Sequence, residues 1–449
     1  VLDLREASAN LSLTGIILNG DVALDIAKLD FSGSEASDLV IDAKLSSTIT
    51  PKIDARITAD RVTYQNYSLD GVSGEGQLEL KSISPDEDDP LLSLLKSLTL
   101  SLTADQALWG DRSARGVELE GTAERNSSGA VSSTIAMRAQ QVSAPEGNAA
   151  NPSLTLHATS STDLETIETD GEVALPSAQV NRDAISPLLA GLSLPSPFTA
   201  HERALKAAIL SASDGFQTGM GFNVIRAPDE ALKVTLDKAV SLSSESGLTI
   251  SASPEGDLPL LFWSDGQTNG AGVLSLSGGG APMLDVRINE YALTPDGFSV
   301  AGDAADLKSW RAERLAIGTR LSEFSASRSE GVTHASAIGE VMVDGPLFGV
   351  SFRPTRIFGG VEAVLGEEGA RLQTYQRDCL GIDSKGLDLN SSMAIKPTIL
   401  KLCPTDGRFL RQSGDIYSGK LNFTEINLPF AGADTSGDIT LTDGSLSWR

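Results

Sequence analysis

The sequence predicts a mainly β protein, a long antiparallel sheet with a few short helices, and two observations predict it. The first is a recurring phrase in which a glycine and a polar residue are followed by apolar residues at alternating positions. It reads Gly20-Asp-Val22-Ala-Leu24-Asp-Ile26, Gly74-Glu-Gly76-Gln-Leu78-Glu-Leu80, Gly171-Glu-Val173-Ala-Leu175, Gly339-Glu-Val341-Met-Val343, Gly419-Lys-Leu421-Asn-Phe423 and Gly437-Asp-Ile439-Thr-Leu441. Period-two alternation after a turn residue marks a strand with one apolar and one polar face. The second is that the alternation restarts along the whole chain without the helices that parallel crossovers would need.

Residues 1 to 84 alternate almost without interruption. Leu39, Ile41, Ala43 and Leu45, then Ile53, Ala55, Ile57 and Ala59, share one face, with Asp, Lys, Arg, Ser and Thr between them. Asn19-Gly20, Gly33-Ser34 and Asp70-Gly71 fit hairpin turns, which makes this stretch a meander. The segment from Ser84 breaks the pattern. Acidic residues precede Pro90, and Leu91, Leu94, Leu95 and Leu98 fall at helical spacing, which predicts a short helix near 90–97. Strands resume at Leu98-Thr-Leu100-Ser-Leu102 and continue at Val117 to Leu119, Ile135 to Met137 and Leu154 to Leu156, with a polar loop from Ser143 to Pro152.

Residues 181–213 form the clearest helical stretch. Asp183 precedes Ile185, Leu188, Leu189 and Leu192, and Thr199-Ala-His-Glu202 has the form of a capping box ahead of Leu205, Ala208, Ile209 and Ala212. Two short helices inside a long sheet read as a plug, a cap, a dimer contact or a shield over one end of the apolar core. Strands dominate again from Gly215: Val234 to Leu236, Leu248 to Ile250, Leu274 to Leu276, Leu284-Asp-Val286-Arg-Ile288, Val341 to Val343 and Leu387 to Leu389. Residues 306–315 fit helix and strand equally. The expected division is a first β segment at 1–180, a helical insertion at 181–213 and a second β segment at 214–449.

Composition narrows the function. Acidic residues outnumber basic ones 60 to 35, a formal charge of −25, and no cluster of five Lys or Arg occurs, which disfavours nucleic acid or an anionic membrane surface as a partner. No stretch of 18 apolar residues and no signal peptide are present. The chain starts and ends within strand-like patterns, so it reads as a piece of a longer protein.

Its three histidines, His157, His201 and His334, form no ligand cluster, so no metal is expected. Cys379 and Cys403 read either as a disulfide of an oxidising compartment, worth roughly 3 kcal/mol by chain entropy, or as two unrelated buried thiols. GxSxG, HExxH, P-loop and helix-opening GxGxxG signatures are all missing. Asp86 to Asp89 are contiguous rather than spaced as calcium ligands, and aromatic residues at 5% are too few for the platforms of a glycan-processing cleft. The chain reads as a binding protein without cofactor and not as an enzyme.

A sheet with one apolar face closes on itself, packs on a second sheet or holds apolar ligand. This face is aliphatic and poor in aromatics, and pattern alone weighs an open groove equally with stacked β-sandwich domains. The residues that would line a groove are Val22, Leu24, Ile26, Leu39, Ile41, Leu45, Ile53, Ile57, Leu78, Leu80, Leu100, Leu102, Val117, Leu119, Val234, Leu236, Leu274, Leu276, Val286, Ile288, Val341, Val343, Leu421, Phe423, Ile439 and Leu441.

The phrase from Ile57 to Leu78, with Leu69-Asp-Gly71-Val-Ser-Gly74-Glu-Gly76-Gln-Leu78 at its centre, resembles the repeat of the AsmA-like envelope proteins. The stretches Leu400-Lys-Leu-Cys403-Pro404 to Gly419-Lys-Leu421 and Ile439 to Trp448 resemble the YdbH-type branch of that group. The resemblance covers about a third of the chain. It implies a twisted, repeating β-groove (a β-taco) in a periplasmic protein anchored in the bacterial inner membrane through a segment outside this chain. The groove would conduct phospholipids between inner and outer membranes, with an outer-membrane lipoprotein or barrel protein as a partner. TamB-like relatives share the architecture and imply the alternative, a structural or assembly factor for outer-membrane proteins.

Overall fold

A computed structural model describes residues 2–14, 17–31, 34–47, 50–81, 95–161, 165–194, 196–228, 230–347, 349–366, 369–375, 379–390, 393–404, 408–413, 416–432 and 436–448. These form a mainly β, antiparallel protein with two helices among the described residues. The chain divides into two compact units, Val1–Pro187 with Ser213–Leu236, and Leu188–Ala212 with Asp237–Arg449. Residues 214–236 complete the first unit, and most of the helical insertion is counted with the second.

In unit 1, strands β1 (Leu2–Thr14), β2 (Ile17–Phe31), β3 (Ser34–Ser47), β4 (Pro51–Tyr64), β5 (Tyr67–Leu80), β6 (Leu95–Trp109) and β7 (Arg112–Arg125) form a meander, each antiparallel to the next. The next two positions are each filled by two collinear pieces, β8 (Val131–Arg138) with β9 (Gln141–Ala144), and β10 (Gly147–Ala150) with β11 (Ser153–Ser160). Strands β12 (Ile167–Val180), β13 (Phe216–Arg226) and β14 (Lys233–Leu236) complete the sheet. Residues 143–152, expected as a loop, are instead the β9–β10 hairpin and its continuation. Of the helix expected near 90–97, residues up to 94 lie outside the described residues, and Leu95, Lys96 and Ser97 belong to β6.

Each strand bends at the same level. Ala27, Asp38, Asp60, Gly71, Asp105 and Gly116 drop out of the pairing in neighbouring strands, and the line continues through the β8–β9 and β10–β11 breaks to a shift in β12 between Leu175 and Ala178. From β2 to β7 the register is the same on both sides of the line, so paired strands bend together there without an extra residue on either one. Three residues of the line take left-handed backbone, Asp38 (φ 50°), Gly71 (φ 62°) and Gly116 (φ 57°), and a Cβ on Gly71 would come 2.2 Å from Asp105 Oδ2. Asp70-Gly71 is therefore a bend within β5 and not the expected hairpin turn, and Asn19-Gly20 lies inside β2. The tight turn between β4 and β5 is Gln65-Asn66, with Gln65 at φ 54°.

The crease folds the apolar face onto itself. Ala36, Leu29, Val62 and Leu69 on the short arm pack with Leu24, Ile26, Leu39, Ile41, Ala59, Val72, Leu102 and Ala104 on the long arm, which makes the core of the unit. The core is small. The chain exposes 26666 Å², against about 20,000 Å² for two compact bodies of half its mass.

In unit 2, β15 (Val240–Ser244), β16 (Thr249–Ser253), β17 (Leu261–Ser264), β18 (Gln267–Ser277), β19 (Leu284–Thr294), β20 (Gly297–Gly302), β21 (Ala304–Ala312), β22 (Leu315–Ser329), β23 (Val332–Leu347) and β24 (Val350–Gly366) form an antiparallel sheet in which β20 and β21 share β22 as neighbour. The ambiguous segment 306–315 is strand, turn and strand. Strand β24 then pairs with three short pieces, β25 (Gly369–Thr374), β26 (Leu380–Ser384) and β27 (Leu387–Asn390). These pair with β30 (Arg408–Ser413), β29 (Thr398–Pro404) and β28 (Met393–Ile395), and β31 (Ile416–Gly432) and β32 (Ser436–Trp448) follow.

Helices α1 (Arg182–Gly191) and α2 (Thr199–Ser213) occupy the insertion as expected. The capping box does not close as read. Glu202 reaches back to accept the Leu194 N–H at 2.9 Å and pairs with Lys206 at 2.6 Å. Lys206 first, and the Leu194 N–H second, hold the Glu202 carboxyl below its ordinary value.

Candidate functional site

Three rows of side chains cross the long arm of unit 1 at right angles to its strands. In the first, Ala7, Leu24, Ile41, Ile57, Gly74, Leu102, Leu119, Met137, Leu154, Val173 and Met220 stand directly opposite one another from β1 to β13. The second, two residues along each strand, is Ala9, Val22, Ala43, Ala55, Gly76, Leu100, Gly121, Ile135, Leu156, Gly171 and Phe222. The third runs through Leu11, Gly20, Leu45, Ile53, Leu78, Leu98 and Ala123, turns polar at Ser133 and Thr169, and ends on Val224 and Val234. At the usual strand spacing the first two rows run for roughly 48 Å.

Burial separates the expected lining residues into two groups. Ile57, Leu100, Ile135, Met137 and Met220 are 37–41% exposed, although register places all five on the apolar face. Val22, Leu24, Ile41, Leu45, Ile53, Leu78, Leu80, Leu102, Val117, Leu119, Val234 and Leu236 are half-buried. Ile26 and Leu39 are buried at the crease, at 5% and 7%. These two are core and not lining, because the short arm covers them. Met137, Leu154, Val173 and Met220 join the first row without having been singled out; extending the alternation through β8, β11, β12 and β13 identifies them.

Unit 2 has a corresponding row. Leu242, Ile250, Leu276, Leu284, Leu307, Thr319, Val341, Ile357, Ile382 and Leu400 stand opposite one another across ten strands. Leu274 pairs with Val286 one step along, and Ile288 with Gly272. Val341 is 39% exposed and Ile439, opposite Leu428, is 46% exposed, whereas Val343 is buried at 5% and belongs to the packed corner. Leu421, Phe423 and Leu441 sit in β31 and β32, and their side chains lie outside the described residues.

The opposite faces are polar. In unit 2, Arg320 pairs with Asp306 and Glu340, and Arg356 with Glu340 and Asp383, a charge ladder across neighbouring strands. In unit 1 a depression of about 1140 Å³ takes two residues from the polar face of each strand, among them Asp42 and Lys44, Asp54 and Arg56, and Glu75 and Gln77. Ala9, Val22, Ala43, Ala55, Gly76, Leu100 and Gly121 of the second row also border it, whereas Ile41, Ile57 and Leu102 of the first row do not.

Helix α2 seats in unit 2 through a buried histidine. His201 is wholly buried, its ring is edge-on to Trp310 at 4.9 Å, and Nε2 lies 3.3 Å from the Trp310 carbonyl oxygen. Arg203 pairs with Glu313 at 2.8 Å beside it. Cys379 and Cys403 form a disulfide across β26 and β29, where Leu380 faces Leu402 in the next register position.

Among the described residues no group of three His, Cys, Asp or Glu is placed to hold a metal, and no helix is long and apolar enough to cross a membrane. No protein-family model, curated protein or solved structure matches the chain. The site's geometry is that of apolar rows crossing the strands from β1 to β13.

Proposed function

We propose that this chain is a lipid-conducting segment of a periplasmic bridge protein. Its apolar rows bind phospholipid acyl chains and conduct lipids between the inner and outer membranes, with no covalent chemistry. The observation that carries the reading is the half-exposed row from Leu24 to Met220. An aliphatic surface of this length, left uncovered, costs free energy in water at about 25 cal/mol per Å² and is relieved by acyl chains without directional contacts. The resemblance of residues 57–78 to the AsmA-like repeat, and of 400–421 and 439–448 to the YdbH-type branch, supports the same reading. So does the disulfide, which fits an oxidising compartment. On this reading the parent protein is anchored in the inner membrane and hands lipid to an outer-membrane lipoprotein or barrel protein.

A second reading is favoured by one observation. The buried cluster at Ile26, Leu39, Ala59, Val72 and Ala104 fills part of the apolar face, as a structural or assembly factor built from stacked β repeats would. Native mass spectrometry of the purified chain with lipid extraction separates the two. Several phospholipids per chain are expected; a lipid-free protein would leave the structural reading.

A further inference from the structure

The polar face of unit 2 carries an apolar patch that the lipid reading does not use. Met342, Arg356, Asp383 and Ile399 stand side by side on β23, β24, β26 and β29. Ile399 is 76% exposed, Phe358 38% and Met342 37%, on a face where their neighbours are charged. The Arg356 guanidinium lies 5.2 Å over the Phe358 ring, which itself covers Gly381. Beside them a cavity of about 310 Å³ is walled by Ala316, Met342 and Pro354 and rimmed by Asp344, Arg356 and Lys385. Its size suits one apolar side chain.

The charges around this patch do not balance. Asp306 and Glu340 are held by Arg320, Asp383 by Arg356 and Asp344 by Arg311. Lys385 and Lys401 are exposed and have no ion pair among the described residues. In a chain of formal charge −25, an apolar hollow with Lys385 on its rim, and with Lys401 on the same face opposite Gly381, is a local exception. Complementarity of this kind steers encounter and selects the sign of the partner.

We propose that this patch is a docking site for an acidic polypeptide segment, which places one apolar side chain in the cavity beside Met342 and its carboxylates against Lys385 and Lys401. The rows of unit 1 play no part in it, so the lipid reading can fail without affecting it. The test is fluorescence anisotropy of a short labelled peptide with a central Phe flanked by glutamates, titrated with the whole chain. Saturable binding is expected, weakened roughly tenfold by the double variant K385E/K401E and by Phe→Ser in the peptide. Both lysines are exposed, so an unchanged thermal midpoint is expected to show that the variant is folded. No saturable binding, equal affinity of the two proteins, or binding of phosphatidylglycerol vesicles in place of the peptide overturns the proposal.

Discussion

The Phe222 ring lies directly over Gly171, so closely that a Cβ on Gly171 would come 2.1 Å from the ring. The same opposed pairing recurs at Phe324 over Gly302 and Phe358 over Gly381. An aromatic ring thus replaces the side chain that its cross-strand glycine lacks, which protects an otherwise weak point of the ladder. G171V is expected to destabilise unit 1 by about 1–3 kcal/mol through overpacking, and pairing it with F222A to recover part of the loss. Denaturant midpoints of the single and double variants measure this.

At the crease, G116V sets a β-branched side chain in left-handed backbone and against Gln140, whose Cδ would lie 2.5 Å from the new Cβ. A loss of about 1–3 kcal/mol is expected. Gly110 also has positive φ but has nothing within 4 Å, so G110N in its hairpin turn is expected to stay within about 0.5 kcal/mol of the parent. Urea unfolding of the two variants is the comparison; equal losses would show that the crease does not shape the sheet.

Charged substitutions divide the apolar face into lining and core. I57D, at 41% exposure, is expected to keep the fold and lose copurified phospholipid. I26D, at 5% exposure, places an unpaired carboxylate in the core and is expected to unfold unit 1. I41D falls between them because Ile41 packs against the core cluster. Circular dichroism with lipid quantification distinguishes the three, and loss of folding in I57D would indicate a filled core.

Removing the disulfide with C379S/C403S is expected to cost about 3 kcal/mol, because the bridge closes a loop of sequence separation 24. Thermal unfolding of the parent with and without reductant is expected to reproduce that difference.

Acid is expected to loosen α2. Lys206 and the Leu194 N–H favour the ionised form of Glu202, so its folded value lies below the ordinary 4.5. The stabilisation is present above that ordinary value and fades as pH falls through the folded one. Hydrogen exchange over Thr199–Ser213 is expected to quicken below pH 4.5 in the parent. E202Q is expected to exchange faster at neutral pH and to lose that part of the acid response.

The alternation at Val22 to Ile26 and Leu39 to Leu45 determined on its own that these segments are strands, and which residues share a face, because side chains of a strand alternate regardless of what they pack on. The 3.6-residue spacing of Ile185 to Leu192 and Leu205 to Ala212 likewise placed both helices. Pairing to form the Cys379–Cys403 bridge remained open, since it depends on the β26–β29 register, which is non-local.

Only the tertiary structure decided which part of the apolar face is open. Ile26 and Ile57 read alike as alternating aliphatic residues, yet one is core and the other half-exposed. The difference arises at the crease: Ile26 and Leu39 lie directly beside its dropped pair, Ala27 and Asp38, and pack with Leu29 and Ala36 of the short arm, whereas Ile57 lies farther along the long arm. Asp70-Gly71 reads the same whether it supplies a hairpin turn or a bend within a strand, because Gly71 can take positive φ in either; the neighbouring strand's register determines which one forms.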